Sequence, residues 1–107
     1  FKIPVIISKH AITSKSAKIK SGTIVMDRAV IHQDVNIGEN CIINTGAIIE
    51  HDVVIGSNSH ISTGAIVNGG VKIGNNVFIG SGSIIVNNIN IKSNSFVKAG
   101  SLVKKHI

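Results

Sequence analysis

A six-residue period runs through the whole chain without an insertion or a deletion. When the 107 residues are written in rows of six, the first column is large and apolar at seventeen of eighteen positions, with Thr13 as the exception. The fifth column holds Ala, Ser, Thr, Val or Cys except at Ile89 and Ile107. A hexapeptide period of this kind is typical of a β-helix, and it outranks every other pattern in the sequence.

The fourth column of these rows predicts where the chain turns. From Asp34 to Gly100 it contains only Gly, Asn and Asp, which are the residues that tolerate positive φ. Because side chains alternate between the faces of a strand, the fifth and first columns should point inward and the sixth outward. One strand and one corner per row predict an all-β, three-sided prism of about six coils, which forms one domain over residues 1–107.

The sixth column indicates how such a prism would assemble. Residues eighteen apart should stack on one side, and one stack is mostly polar: Lys18, Asn36, Val54, Lys72 and Asn90. The other two are apolar except for His60: Ile12, Val30, Ile48, Ile66, Ile84 and Leu102, and Ile6, Ile24, Ile42, His60, Phe78 and Phe96. Two outward apolar stripes predict subunit contacts, and pairing one stripe with the other on a neighbour closes a ring. The expected assembly is a homotrimer, and the alternative is that β-propensity extends onto exposed strands.

Composition excludes several classes of partner. The net charge is +6, but the chain has no Trp or Tyr and its three Phe lie in core or interface columns, so no platform for stacking bases is expected and nucleic acid is excluded. No apolar run is long enough to cross a bilayer and no signal peptide is recognisable. The single cysteine, Cys41, has no partner to oxidise and occupies an inward position, which fits a reducing cytoplasm. The lysines near the C-terminal end either bind a phosphate-rich small ligand or prevent an exposed sheet edge from pairing with another chain.

Two histidines are candidates for chemistry. His51 is expected at a corner between Glu50 and Asp52, and a carboxylate beside an imidazole fixes its tautomer and favours a general base, although a solvated turn residue is the alternative. His60 is the one polar residue of an apolar stripe, so it needs a hydrogen-bond partner or a role. Since the two histidines lie on consecutive sides of one coil, both are expected to border the same intersubunit cleft.

Other kinds of site have little support in the sequence. Zinc requires three or four converging ligands, and the histidines do not recur in stacked columns, so no metal is expected. Nucleophilic catalysis is also disfavoured, because Cys41 points inward and the Ser and Thr residues have no paired base apart from His51.

Three strings, Asn44-Thr45-Gly46-Ala47, Glu50-His51-Asp52 and His60-Ile61-Ser62, resemble the bacterial sugar acetyltransferases that include sialic acid O-acetyltransferases and nucleotide-linked 4-amino-sugar N-acetyltransferases. The resemblance covers nearly the whole chain. It implies a left-handed parallel β-helix, a homotrimer, and acetyl-CoA in the groove between adjacent prisms.

The resemblance also implies roles for seven residues. His51 would be the general base, and Asp52 would raise its basicity. His60 would contact acetyl-CoA, and Ser81 and Ala99 fall where the family's backbone touches the cofactor. The substrate pocket would be shaped by two further residues, Asn44 and Glu50.

The expected function is direct transfer of an acetyl group from acetyl-CoA to an amine or hydroxyl of a sugar, with backbone donors stabilising the oxyanion. The alternatives are a non-catalytic trimerisation module and, further behind, a metal-dependent hydratase of the same prism fold. The family usually has a Rossmann-like domain before the helix, which this sequence lacks, so a fragment is expected. The segment Ile7-Ser8-Lys9-His10-Ala11 departs from the family's Ile-His-Pro-Ser-Ala, which leaves the acceptor open.

Overall fold

A computed structural model describes residues 3–107 as seventeen strands of two residues each, arranged in three sheets. The first sheet contains β1 (Ile6–Ile7), β4 (Ile24–Val25), β7 (Ile42–Ile43), β10 (His60–Ile61), β13 (Phe78–Ile79) and β16 (Phe96–Val97). The second contains β2 (Ile12–Thr13), β5 (Val30–Ile31), β8 (Ile48–Ile49), β11 (Ile66–Val67), β14 (Ile84–Ile85) and β17 (Leu102–Val103). The third contains β3 (Lys18–Ile19), β6 (Asn36–Ile37), β9 (Val54–Ile55), β12 (Lys72–Ile73) and β15 (Asn90–Ile91).

Every strand pairs in parallel with the strand three places along the chain, at a constant offset of eighteen residues. His60, for example, pairs with Ile42 on one side and Phe78 on the other. The three stacks predicted from the sixth column are therefore the outer faces of the three sheets. This confirms the predicted class, an all-β, left-handed parallel β-helix with three sides. Phe1, which begins the apolar column, lies outside the described residues.

Each coil has three corners. The first corner joins the first sheet to the second, at residues 9–10, 27–28, 45–46, 63–64, 81–82 and 99–100. The second corner joins the second sheet to the third, at residues 15–16, 33–34, 51–52, 69–70 and 87–88. The third corner joins the third sheet to the first, at residues 21–22, 39–40, 57–58, 75–76 and 93–94. Positive φ recurs every six residues from Gly22 to Gly100, which confirms the predicted turning positions. Arg28, at φ 58°, is the one member of this series that is not Gly, Asn or Asp.

The core is the inward stack of first-column and fifth-column side chains. From Val25 to Val97 every first-column residue is buried. Ile7, in the first described coil, is 44 % exposed because no complete coil covers it. Cys41 is fully buried as predicted, and burial raises the pKa of its thiol. The protonated thiol therefore packs as a small apolar side chain.

The outer faces differ as the sequence predicts. On the first and second sheets the stripes leave large apolar side chains exposed, among them Phe96 at 72 %, Ile12 at 67 % and Leu102 at 57 %. The third face carries exposed Lys18 and Lys72 instead. Within residues 3–107, no helix has the length and apolar character needed to span a membrane.

Candidate functional site

His51 lies at the second corner, on the turn that follows β8. Its Nδ1 atom is 2.8 Å from Oδ2 of Asp52, and the two side chains are 55 % and 61 % exposed. Because a carboxylate only accepts, Nδ1 carries the proton and the neutral ring keeps a lone pair on Nε2. Asp52 itself occupies the left-handed corner position, at φ 60°, which turns its carboxylate back towards the neighbouring ring. The carboxylate and the histidine that adjoin in the sequence are therefore in hydrogen-bond contact in the structure.

A depression of about 380 Å³ opens beside the imidazole. It is lined by residues of three successive coils: Glu50, His51, Asn68, Gly69, Asn87 and Asn88. Three carboxamides and one carboxylate give this pocket both donors and acceptors, which suits a ligand with several hydroxyl or amino groups. Of these lining residues the sequence analysis names Glu50 and His51 but not the asparagines. The offset of eighteen residues per coil could have found this wall of the pocket, because it stacks residues 69 and 87 above His51.

Glu50 has a second histidine as a neighbour. Oε1 of Glu50 lies 3.6 Å from Nε2 of His32, which is one coil below it. Asn68 is one coil above Glu50, so the three polar side chains share a column next to the second corner. The sixfold pattern places His32 on an outer face and does not predict its contact with Glu50.

His60 lies on the first sheet, in β10, and has the partner that its position requires. Its Nε2 atom is 3.2 Å from Nδ2 of Asn44, while Oδ1 of Asn44 accepts from the Thr45 amide at 2.7 Å. The ring also stands edge-on to Phe78, with centroids 5.3 Å apart and an interplanar angle of 83°. Burial lowers the pKa of His60, so the neutral imidazole is favoured.

Within one chain, the structure does not bring His51 and His60 together. His51 lies between the second and third sheets, whereas His60 lies on the outer face of the first. The third face separates them along the chain. A cleft bordered by both histidines therefore needs two copies of the protein.

Ser81 and Ala99 are stacked one coil apart at the first corner, and both are exposed. The Gly100 amide donates to the Ser81 carbonyl at 2.8 Å. A Cβ on Gly80 would lie 2.4 Å from the Ala99 nitrogen, so the two coils approach closely here. With glycine at 82 and at 100, this edge is almost bare backbone.

No metal centre is formed by the described residues. In the range 3–107, no three His, Cys, Asp or Glu side chains are grouped closely enough to hold an ion.

Two blocks of the chain, residues 34–69 and 70–105, match the family model of the bacterial transferase hexapeptide (six repeats). The protein belongs to this family. Its matched blocks include His51, Asp52, His60, Ser81 and Ala99. No curated protein sequence matches this hexapeptide transferase.

Solved structures give the likeness in more detail. The acetyltransferase domain of PglB from Neisseria gonorrhoeae is 34% identical over 100% of this chain and 52% of that one, with a TM-score of 0.99. The same domain is also known in complex with acetyl coenzyme A. PerB from Caulobacter crescentus, in complex with CoA and GDP-perosamine, is 32% identical over 100% of this chain and 52% of that one, with a TM-score of 0.98. A mutant of perosamine N-acetyltransferase from the same organism, also in complex with CoA and GDP-perosamine, is 31% identical over 100% of this chain and 51% of that one, with a TM-score of 0.98. The chain thus spans about half the length of these relatives.

Proposed function

We propose that this hexapeptide transferase is an acetyl-CoA-dependent acetyltransferase that acts on an amine or hydroxyl of a sugar. The observation that carries the proposal is the His51–Asp52 pair, with its 2.8 Å contact, at the edge of a polar pocket. Relatives that match this chain from end to end are an acetyltransferase domain bound to acetyl coenzyme A and an N-acetyltransferase bound to GDP-perosamine. They favour a nucleotide-linked amino sugar as acceptor, ahead of sialic acid.

In this proposal acetyl-CoA, when bound, supplies the acetyl group as a thioester. Nε2 of His51 accepts the proton that the acceptor nitrogen or oxygen releases as its bond to the acetyl carbon forms. The same nitrogen then returns the proton to the CoA sulfur as the C–S bond of the thioester breaks, so that CoA leaves as the free thiol. Asp52 holds Nδ1 protonated, which keeps the lone pair on the nitrogen that faces the pocket. We expect the carboxylate of Glu50 and Oδ1 of Asn68 to bind hydroxyl or amino groups of the acceptor, since Nδ2 of Asn68 already donates to the Ile85 carbonyl at 2.9 Å.

The residues implied for the cofactor lie elsewhere on the chain. Ser81 and Ala99 offer the open backbone of the first corner, and the neutral ring of His60, which Asn44 of the expected substrate pocket holds by a hydrogen bond, lies on the first sheet. Because these groups are remote from His51 within one chain, we place acetyl-CoA between adjacent copies. The exposed apolar stripes of the first and second sheets would form that contact, and a ring of three prisms is the assembly we propose.

The test is the His51→Ala variant with acetyl-CoA and a GDP-linked amino sugar. We expect turnover to fall at least about 100-fold, as loss of a general base requires. Titration calorimetry should show that the variant still binds acetyl-CoA. His10→Ala, which removes an exposed histidine of the first corner, serves as the matched control and should keep full turnover.

Two results would count against the proposal. Unchanged turnover in His51→Ala would remove this histidine from the mechanism. No heat from the unaltered protein at millimolar acetyl-CoA would support a non-catalytic trimerisation module instead.

A further inference from the structure

We infer that Gly69 is a positioning residue for His51: the space left by its missing side chain is where the imidazole lies. This inference rests on the proposed role of His51 as the base. Gly69 is one coil above His51 at the same corner, since the two differ by eighteen residues. Replacing its hydrogen with any side chain would move the ring that is expected to take the proton.

The clearance above the ring is small. A Cβ built on residue 69 would lie 2.6 Å from Nε2 of His51, 2.7 Å from Cε1 and 3.2 Å from Cδ2. Carbon and nitrogen atoms in contact normally stay about 3.5–4.0 Å apart. The first two distances are therefore impossible to keep, and one of the two residues must shift.

The backbone around Gly69 is held on both of its neighbouring coils. Its carbonyl accepts from the Asn88 amide at 2.9 Å, and the next amide, that of Gly70, donates to the His51 carbonyl at 3.0 Å. The imidazole is held less firmly, by the Nδ1 contact to Asp52 alone. A side chain at 69 would therefore displace the ring, and Nε2 with it.

The backbone conformation does not explain this glycine. Gly70 is the corner residue with positive φ, at 72°, whereas Gly69 is not in the left-handed region. The same third-column position holds residues with side chains on other coils, among them Ser57, Ser81 and Ala99. What distinguishes position 69 is the ring beneath it.

A glycine next to the third corner, Gly74, also leaves space for a residue of the neighbouring coil. A Cβ on Gly74 would lie 2.5 Å from Oγ of Ser93 and 2.6 Å from the backbone nitrogen of the same residue. The Ser93 hydroxyl accepts from the Asn75 amide at 2.9 Å. The space at Gly74 therefore admits the backbone of the next coil together with a side chain that ties the two coils together. At Gly69 the admitted side chain bonds only to its own neighbour, Asp52, and within residues 3–107 its Nε2 atom has no hydrogen-bond partner. The space at Gly69 thus serves the direction of the ring and not the stability of the prism.

A double-mutant cycle tests the inference without any activity measurement. Gly69→Ala should destabilise the protein more in the unaltered background than in His51→Ala, because in the unaltered background the new methyl group pushes the ring away from Asp52. In the His51→Ala background the new methyl group has room, and the same change should cost little. Equal losses in the two backgrounds would overturn the inference.

Kinetics and spectroscopy complete the test. Gly69→Ala should lower kcat about 100-fold, the scale expected for a catalytic group misplaced by about 1 Å, with KM for acetyl-CoA nearly unchanged. Long-range ¹⁵N–¹H correlation spectra of the His51 ring should lose the signature of a single Nδ1–H tautomer. Gly74→Ala is the matched control: it should reduce stability through Ser93 and leave kcat and the His51 spectrum unchanged.

The inference and the proposed function can fail separately. The stability cycle could show coupling between residues 51 and 69 while His51→Ala keeps full turnover. That result would support Gly69 as the residue that makes room for the ring, and it would refute His51 as the general base. Loss of turnover in His51→Ala, with no coupling and an unchanged His51 spectrum in Gly69→Ala, would refute the role of Gly69 alone.

Discussion

The side-chain amide of Asn44 faces Nε2 of His60 at 3.2 Å, between neighbouring coils of the first sheet. Oδ1 of Asn44 already accepts from the Thr45 amide, so the NH₂ group is the end that meets the ring. A protonated His60 would set a second donor against that NH₂ group. Burial lowers the pKa of His60, and the facing donor acts in the same direction.

This contact predicts an acid-dependent loss of stability. The pKa of His60 in the folded protein lies below its unfolded value of about 6.5, so the unfolded chain binds more protons as the pH falls through that value. The contribution of the neutral ring is therefore present above about pH 6.5 and decreases below it. We expect the free energy of unfolding in urea to fall less between pH 7.5 and 5.5 in His60→Gln, which keeps an acceptor for Asn44. An identical acid-induced loss in both proteins would contradict the prediction.

Asp52→Asn should change the tautomer of the His51 ring while leaving the fold intact. Asparagine fits the left-handed corner, since Asn58 and Asn76 adopt the same conformation with φ of 60° and 56°. The amide carries no charge and can also donate, so Nδ1 is no longer held protonated. We expect kcat to fall about 10- to 100-fold with an unchanged unfolding curve.

The matched control for this change is Asp34→Asn. Asp34 lies one coil below Asp52 at the same corner, at φ 58°, and has no histidine beside it in the sequence. It should keep full activity. Equal kcat values for the two variants would show that the carboxylate of Asp52 does not act through His51.

The fold could be predicted from the sequence because every strand of a β-helix makes the same pairing with the strand one coil away. A constant offset of eighteen residues turns the column pattern directly into register, as the pairing of His60 with Ile42 and Phe78 shows. The polar wall above His51 follows from the same offset. The hydrogen bond between Asn44 and His60 does not, because it joins residues sixteen apart through side-chain torsions that no period specifies. The roles expected for Ser81 and Ala99 rest on family resemblance, since exposed backbone has no sequence pattern of its own.

Arg28 offers a prediction about backbone strain. It adopts φ 58°, a conformation that costs most residues with a Cβ about 1–2 kcal/mol and that asparagine tolerates better. Arg28→Asn should therefore raise the free energy of unfolding by about 1 kcal/mol. The reverse change at an equivalent corner, Asn40→Arg at φ 56°, should lower it by a similar amount. Urea denaturation of the two variants gives both values, and a loss of stability in Arg28→Asn would show that its side chain has a stabilising contact that outweighs the strain.

The apolar stripes predict how the assembly can be dissociated. Ile12 is 67 % exposed in the single prism, so Ile12→Glu should leave the coil intact while placing a charge in the proposed contact. An unpaired buried charge opposes association strongly, so we expect sedimentation velocity to show a trimer for the unaltered protein and monomers for the variant. Lys72→Glu changes an exposed residue of the third face and should remain trimeric.

Because a cleft with both His51 and His60 needs two copies, turnover should be lost with the trimer. A variant that sediments as a monomer and retains full activity would place the complete site within one chain.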